Sequence, residues 1–325
     1  MQFPGPMLIY EDYTELPEEF RNSSIAIGNF DGMHRGHCEV IKRAGIFAHE
    51  RGVPWGVLTF EPHPREIFNK EKPLFRLTPI EIKARQINTM GVDFLVIIQF
   101  NNQFAQVSAD DFVYQILVQG FEASYVVSGF NFAFGHKRAG DTNFLSIKGR
   151  QFGFGTTGIK QVLDEEGQII SSTRIRQFLS DGDTRAAAKL LGRNFEIEGK
   201  ISRGEKRGSK IGFPTANIKL NDGIRIAIGV YAIRAGIDYG SDIVWHDGIA
   251  NLGYRPTFNG EECILEVHLF DFNKNIYGAK LRVAMIEFIR PERKFDGIES
   301  LTAQIRRDIS QTKTILGYKQ TEEYM

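Results

Sequence analysis

Two histidines lie in a glycine-rich run near the start of the chain, Ile27-Gly-Asn-Phe-Asp-Gly-Met-His-Arg-Gly-His37. A strand is predicted to end at this run, and a helix to begin at Gly36 or His37. The imidazoles of His34 and His37 can therefore reach the same region of space. A helix N-terminus binds phosphate, and imidazole donors stabilise charge that builds at phosphorus. An ordinary Gly-rich turn with two exposed histidines is the alternative, and the strand–glycine–helix context favours the phosphate site.

Further polar and glycine positions follow predicted strands in the same half. Gly28 and Gly32 would let the backbone approach a ligand closely. Asn131 comes at the carboxyl end of a buried strand, where parallel sheets bind ligands. His63, in Thr59-Phe-Glu-Pro-His-Pro64, also follows a strand and could equally be a satisfied loop histidine.

A hydroxyl-rich segment, Ile170-Ser-Ser-Thr-Arg-Ile-Arg176, precedes another predicted helix. Ser171, Ser172 and Thr173, the backbone N–H groups and Arg176 would together form a phosphate clamp. Considered alone, the segment is more typical of a plain N-cap followed by a solvated arginine.

The second half carries a basic, glycine-punctuated run at 199–217. Such a loop could cover a triphosphate, although it lacks the Walker A spacing. A nucleic-acid contact and a solvated hairpin are alternatives, and charge alone favours the hairpin. The candidate ligand-binding residues of the run are Gly204, Arg207, Gly208, Lys210, Gly212 and Pro214.

Oxygen donors follow directly in this half. Thr215 and Asn217 provide a hydroxyl and an amide oxygen two residues apart, which suit Mg²⁺ beside nucleotide phosphates. Glu266 lies on the polar face of a strand whose Leu265 and Val267 face the other way, and its carboxylate could take a proton from a substrate hydroxyl. An exposed strand glutamate is the ordinary interpretation of Glu266. The segment at 251–258 reads as turn-forming.

These residues need elements to position them. Up to about residue 180, apolar strands alternate with helices, which predicts a parallel sheet covered on both faces. After about residue 190, serial strands without convincing helices between them predict a small antiparallel barrel or sandwich. The predicted strands are 24–27, 53–60, 92–100 and 125–128, then 195–201, 229–235, 243–251, 263–270 and 281–288. The predicted helices are 37–51, 79–90, one capped by Ser108, a connector near 181–192, and 298–315.

Composition places the chain among ordinary globular proteins. It has 325 residues, 42% hydrophobic and 25% charged, with a net charge of zero. This length predicts two domains, and we expect them to be 1–184 and 185–325. The two cysteines, one in each half, argue against a disulfide framework or a cysteine metal cluster. We expect a cytoplasmic protein with no membrane contact, because no apolar run is long enough to span a bilayer.

The motifs of the first half resemble the adenylyltransferase module of bacterial bifunctional riboflavin kinase/FAD synthetases. HxGH followed by ISSTxxR is typical of nucleotidylyltransferases, while GNFDGxHRGH, TFxPHP and GxxFxFG narrow the resemblance to FAD synthetase. The resemblance implies a Rossmann-like domain in which the phosphate of FMN attacks the α-phosphorus of ATP. The site residues that it implies are His34 and His37 as catalytic groups, with Gly28, Asn29, Phe30, Asp31, Gly32, His63, Asn131, Ser171, Ser172, Thr173 and Arg176 in binding.

The second half resembles the riboflavin kinase module over nearly its full length. The matching stretches include RGxxxGFPTAN, NLGYRPTF, LEVHLFDF and FIRPERKF. The resemblance implies a six-stranded Greek-key barrel with a terminal helix, Thr215 and Asn217 at Mg²⁺, and Glu266 as the base for the ribityl 5′-hydroxyl. Arg290 is a weaker candidate for flavin contact.

The leading hypothesis is a bifunctional enzyme that makes FMN from riboflavin and then FAD, with ATP as co-substrate and Mg²⁺ as cofactor. One alternative is an adenylyltransferase whose barrel only binds flavin, against which the presence of Glu266, Thr215 and Asn217 counts. The other is a nucleic-acid-binding barrel, which the net charge of zero disfavours. We therefore expect riboflavin, FMN and ATP as partners, no nucleic acid, and a monomer or weak homo-oligomer.

Overall fold

The structure is a computed structural model that describes residues 7–69, 74–202, 208, 211–220, 224–238, 243–257 and 260–318. The chain divides into two compact units, Met1–Ser172 and Thr173–Met325. Three predicted ligand-binding residues, Gly204, Arg207 and Lys210, lie outside the described residues. The functional boundary after residue 184 stays a prediction.

The first unit contains a six-stranded parallel sheet in the order β1-β4-β3-β2-β5-β6. β2 and β5 are neighbours, with Ile27 opposite Ser128. The chain runs from β2 through β3 to β4 on one side, and β5 and β6 lie on the other, so the β2–β5 boundary is the topological switch point where such sheets bind ligands. The strands are β1 Leu8–Tyr10, β2 Ser24–Ile27, β3 Trp55–Glu61, β4 Phe94–Gln99, β5 Tyr125–Gly129 and β6 Gly155–Ile159.

Helices pack on both faces of this sheet, as the apolar strands predict. Ser108 caps its helix as expected, since its Oγ accepts from the N–H of Asp111 at 3.0 Å. Phenylalanines such as Phe94, Phe112 and Phe134 gather in the core on one face of the sheet, which accounts for part of the phenylalanine excess in the sequence. The helices are α1 Arg35–Arg51, α2 Pro64–Phe68, α3 Ile80–Asn88, α4 Ala109–Asp111 with its π-helical continuation Phe112–Gly120, and α5 Thr142–Phe152.

The second unit is a closed barrel in the order β10-β11-β8-β7-β12-β9, with antiparallel pairing throughout. The predicted turn at 251–258 is wrong for 251–257, because β10 continues to Thr257 despite its glycine and proline; Phe258 lies outside the described residues. The strands are β7 Phe195–Ser202, β8 Ala216–Lys219, β9 Gly229–Asp238, β10 Ile243–Thr257, β11 Gly260–Leu269 and β12 Lys280–Pro291. The remaining helices are α6 Ser172–Ser180, α7 Thr184–Leu191 and α8 Ile298–Ile315.

The predicted architecture, a parallel α/β sheet followed by a six-stranded barrel and a terminal helix, is confirmed. Within the part of the chain that the structure describes, we find no helix long and apolar enough to cross a bilayer.

Candidate active sites

The two histidines of the first unit lie together at the start of α1. This helix begins at Arg35, earlier than predicted, and His34 is its N-cap. The Nδ1 atom of His34 accepts from the backbone N–H of His37 at 3.2 Å, which places the proton of a neutral imidazole on Nε2. The two rings are stacked, with centroids 3.6 Å apart. Two imidazoles and the positive end of a helix dipole therefore share one position at the switch point.

Two glycines of the motif make room for its aromatic rings rather than for a ligand alone. A Cβ atom at Gly28 would lie 2.9 Å from Cε1 of Phe30, and one at Gly36 would lie 3.1 Å from Cε1 of His34. Phe30, in turn, presents its ring edge-on to His37 at 5.6 Å. These glycines allow the site to pack against itself.

Asp31 belongs to a buried structural connection. Asp31 is 2% exposed, and its Oδ1 accepts from the backbone N–H groups of Leu77 and Thr78, each at 3.0 Å. Arg76 Nε lies 3.9 Å from the same oxygen. The substrate contact predicted for Asp31 stays a prediction, and the structure gives the carboxylate a positioning role.

The hydroxyl-rich segment reaches this loop through Ser172. Its Oγ donates to the carbonyl oxygen of Asp31 at 2.7 Å, and it is the first residue of α6. Ser171 directly precedes it, while Thr173 and Arg176 lie further along α6, in the second unit. The phosphate clamp that these four residues would form stays a prediction.

Asn131 and His63 differ in how their local structure uses them. Asn131 is exposed after β5, and its Oδ1 lies 3.5 Å from the position of a Cβ at Gly129. The Nδ1 atom of His63 accepts from the N–H of Arg65 at 3.1 Å and so caps α2. The structure thus gives His63 the local capping role of a satisfied loop histidine.

A buried charge network lies behind the glycine loop, and the sequence analysis missed it. Lys83 is 0% exposed; its Nζ lies 3.4 Å from Oε2 of Glu61 and donates to Oγ1 of Thr59 at 3.2 Å. Arg76 binds Glu61 with both terminal nitrogens, at 2.6 and 2.9 Å. A lysine four residues before the buried Ile87 in a predicted amphipathic helix was the available signal.

Burial shifts the pKa values of Lys83 and Glu61 toward their neutral forms, and the opposite charges of the network shift these pKa values back. Burial lowers the pKa of Lys83, and the neighbouring Glu61 carboxylate only partly offsets it. Burial also raises the pKa of Glu61, but the hydrogen bonds and charges of Arg76 and Lys83 outweigh that effect and lower its pKa overall.

In the barrel, strand register brings the predicted kinase residues together. Glu266 on β11 is directly opposite Asn217 on β8 and Asn251 on β10. Directly opposed residues point to the same side of a sheet, so these three side chains share one face. Leu265 and Val267 are buried on the other face, at 0% and 1% exposure. The expected alternation along this strand is confirmed.

A tight turn leads into Thr215. The N–H of Phe213 donates to the carbonyl of Gly208 at 2.8 Å, and Gly212 adopts a φ of 88°. A Cβ at Gly208 would lie 2.3 Å from the carbonyl oxygen of Phe213 and 3.7 Å from Cγ2 of Thr215. Pro214 also belongs to this segment, since its carbonyl is 2.8 Å from Nδ1 of His268. The described glycines of the basic run therefore shape the approach to Thr215.

Two arginines of the barrel are paired with carboxylates. Arg255, which sequence reasoning did not single out, pairs with Glu266 through its Nη2. Arg290 binds Asp308 of α8 through Nε and Nη2, the latter at 2.8 Å. Its flavin contact stays a prediction, and its observed role is to anchor the terminal helix to β12.

Fold and sites together define the class of the protein, a transferase that handles phosphorylated substrates with two differently built units. A family model for FAD synthetase matches residues 16–174, and one for riboflavin kinase matches residues 191–316. Among the relatives are the bifunctional riboflavin kinase/FMN adenylyltransferases of Bacillus subtilis, 38% identical with 90% of this chain and 92% of that protein covered, and of Escherichia coli, 37% identical with 91% and 92% covered.

A solved structure described as a macrolide-efflux protein from Streptococcus pneumoniae has a TM-score of 0.81 at 31% identity, with 95% of this chain and 99% of that chain covered. The chain belongs to the bifunctional riboflavin kinase/FMN adenylyltransferase family. It is an enzyme that forms FMN from riboflavin and FAD from FMN.

Proposed function

We propose that FAD is formed in the first unit, at the N-terminus of α1. The observation that carries this proposal is the stacked pair His34 and His37 on a helix N-terminus at the topological switch point. A phosphate oxygen of FMN attacks the α-phosphorus of ATP, and pyrophosphate leaves. The imidazoles donate to the phosphate oxygens, where negative charge builds in the transition state.

The binding residues of this site are proposed from the family motifs and supported by their placement. Ser172 contacts the loop directly, and Asn131 follows the neighbouring strand at the same edge of the sheet. The remaining proposed residues are Gly28, Asn29, Phe30, Asp31, Gly32, His63, Ser171, Thr173 and Arg176. We also propose that the functional boundary follows residue 184, since the two family matches end at 174 and begin at 191.

FMN formation is proposed for the face of the barrel that Glu266 shares with Asn217. Glu266 accepts the proton of the ribityl 5′-hydroxyl as that oxygen attacks the γ-phosphorus of ATP, and ADP leaves. The cross-strand register supports this role, because it points Glu266 away from the apolar core. The proposed binding residues of this site are Gly204, Arg207, Gly208, Lys210, Gly212, Pro214 and Arg290.

Mg²⁺ is proposed at Thr215 and Asn217, and the chemistry of these donors fits it. Both offer neutral hard oxygens, and Asn217 is 8% exposed. Mg²⁺ commonly uses few protein ligands together with substrate phosphates. Consistent with that, the described residues contain no group of three or more His, Cys, Asp or Glu side chains that could hold a metal by themselves. When bound, the ion neutralises charge on the phosphates.

Two substitutions separate the proposed sites. Glu266→Gln should lower riboflavin phosphorylation by about 10²- to 10⁴-fold, while FAD formation from supplied FMN stays unchanged. His37→Ala should lower FAD formation from supplied FMN and leave riboflavin phosphorylation unchanged. Glu262→Gln, a carboxylate on the same face of β11 that pairs with Lys219 at 2.9 Å, is the matched control and should retain both activities.

The assay is chromatographic separation of flavins after incubation with ATP and Mg²⁺, starting from riboflavin or from FMN. If Glu266→Gln phosphorylates riboflavin at the wild-type rate, the proposed kinase base is wrong. If His37→Ala retains FAD formation, the proposed adenylyltransferase site is wrong.

A further inference from the structure

The loop between β2 and α1 has an unusual backbone. Phe30, Gly32 and Met33 have φ values of 50°, 96° and 43°. The left-handed region is unfavourable for phenylalanine and methionine, and such conformations persist only where the surrounding structure holds them. His34 follows directly, with an extended φ of −72° as the N-cap of α1. The position of its imidazole therefore depends on whatever maintains this loop.

A hydroxyl from a distant part of the chain holds the loop. Thr78 Oγ1 accepts from the N–H of Gly32 at 2.6 Å and lies 3.3 Å from Asp31 Oδ1, to which it donates. The same Asp31 oxygen accepts from the N–H groups of Leu77 and Thr78. We call this set of four bonds the 31–78 clasp. Thr78 and Asp31 are 1% and 2% exposed, so water does not readily replace these bonds.

Behind the clasp, charge anchors the segment that carries Thr78. Arg76, two residues earlier, is bound by Glu61 at 2.6 Å and by Glu66 at 3.1 Å. A second hydroxyl, Thr59 Oγ1, donates to the carbonyl of Asn29 at 3.3 Å and accepts from Lys83. The loop is thus tied on both sides to the buried charge network.

We infer that Thr78 is a positioning residue for FAD formation. Its hydroxyl maintains the left-handed turn through Gly32 and Met33, and that turn places the imidazole of His34 on the phosphates. The inference rests on the proposed role of the histidine pair. Removing the hydroxyl takes away the bond from the N–H of Gly32 to Thr78 and the bond from Thr78 to Asp31, so the turn is held less tightly. A displacement of about 1 Å at a catalytic group costs roughly 10²-fold in rate.

The test compares Thr78→Val, which keeps the shape and removes the hydroxyl, with Thr78→Ser, which restores it. We expect the kcat of FAD formation to fall about 10- to 100-fold in Thr78→Val, with a smaller change in KM for ATP. Thr78→Ser should recover kcat to within about threefold. The control is Thr89→Val, which removes an exposed hydroxyl bonded to the carbonyl of Gln86 and should leave kcat unchanged.

Two further measurements keep the result unambiguous. Riboflavin phosphorylation by the same molecule reports the integrity of the second unit and should stay within about twofold in every variant, while urea unfolding followed on Trp55 in a Trp245→Phe background reports the folding of the first unit. Amide hydrogen exchange by NMR should be faster at Gly32 in Thr78→Val and slow again in Thr78→Ser. If Thr78→Val loses both activities, the inference is tested by Thr78→Ser alone. In that variant the amide exchange at Gly32 and the kcat of FAD formation must both remain near wild type.

Several outcomes would overturn the inference. A folded Thr78→Val with wild-type kcat would do so, and so would a Thr78→Ser as slow as Thr78→Val. His37→Ala is measured in parallel. If it retains FAD formation, the proposed site itself fails; if it loses FAD formation while Thr78→Val retains it, only the role of the clasp fails.

Discussion

Replacing Glu61 with Gln tests the buried charge network that supports the nucleotide loop. The change removes the carboxylate that lies 3.4 Å from Lys83 Nζ and 2.6 Å from Arg76 Nη1. Arg76 keeps Glu66 at 3.1 Å, but Lys83, which is 0% exposed, is left with the hydroxyl of Thr59 as its described polar contact. The buried ammonium group then loses its main counter-charge, and the weaker attraction of Asp31 remains.

The expected magnitude follows from burial and exposure. Removing one partner of a buried ion pair costs about 3–5 kcal/mol. The side chains of Glu61 and Arg76 are 24% and 17% exposed, so water relieves part of that cost and we expect about 2–3 kcal/mol. Lys83→Met removes the cation while Arg76 still binds Glu61, and it should cost about 1 kcal/mol or less. The double variant should therefore be more stable than Glu61→Gln alone.

The assay uses the two tryptophans of the chain, Trp55 in the first unit and Trp245 in the second. In a Trp245→Phe background, fluorescence of Trp55 during urea unfolding reports the first unit by itself, which avoids treating a two-unit chain as a single transition. The reasoning is refuted if Glu61→Gln costs less than about 1 kcal/mol, or if adding Lys83→Met lowers stability further instead of restoring it.

Three more outcomes are expected. Because the folded state lowers the pKa of Glu61 below its ordinary value of 4.5, its stabilising contribution is present above that pH and is lost as the pH falls through the folded value; urea unfolding across acid pH should show this, and Glu61→Gln should show less of it. Asp308→Asn removes the carboxylate that binds the 18%-exposed Arg290 side chain and should destabilise the second unit by about 2–4 kcal/mol, measured on its tryptophan. Excess EDTA should stop both flavin reactions, and added Mg²⁺ should restore them; riboflavin phosphorylation at the full rate in EDTA would contradict the proposed metal site at Thr215 and Asn217.

Local sequence patterns predicted the elements that are determined by residues close together in the sequence. The terminal helix was predicted at 298–315, and α8 is Ile298–Ile315, because an apolar stripe repeats along it and glycine precedes it. The histidine pair was found for the same reason, since a strand, glycines and a helix start are all visible within eleven residues. The resemblance to known motifs, rather than pattern, supplied the sixth barrel strand; β8 has four residues and follows a proline.

Long-range contacts account for what was missed. The bonds between Asp31 and Thr78 join residues 47 apart, and neither residue departs from an ordinary turn or helix-start pattern. β1 and β6 are edge strands: β1 has three residues, and β6, Gly-Thr-Thr-Gly-Ile, lacks the apolar run that predicts β5 at the same length. In both cases the tertiary structure, not the local sequence, gives the segment its role.

The kinase site shows how apolar residues determine the direction of a polar one. Residue type pointed to Asn217, and residue type together with strand alternation pointed to Glu266, but their partnership depends on the register that places them opposite each other on β11 and β8. A slip of one residue would turn Glu266 into the core and bring Leu265 or Val267 to the polar face. Because those two side chains are 0% and 1% exposed, their burial opposes such a slip. The apolar neighbours therefore orient the proposed base. Substitutions of Leu265 or Val267 should impair riboflavin phosphorylation, although these side chains face away from the substrate.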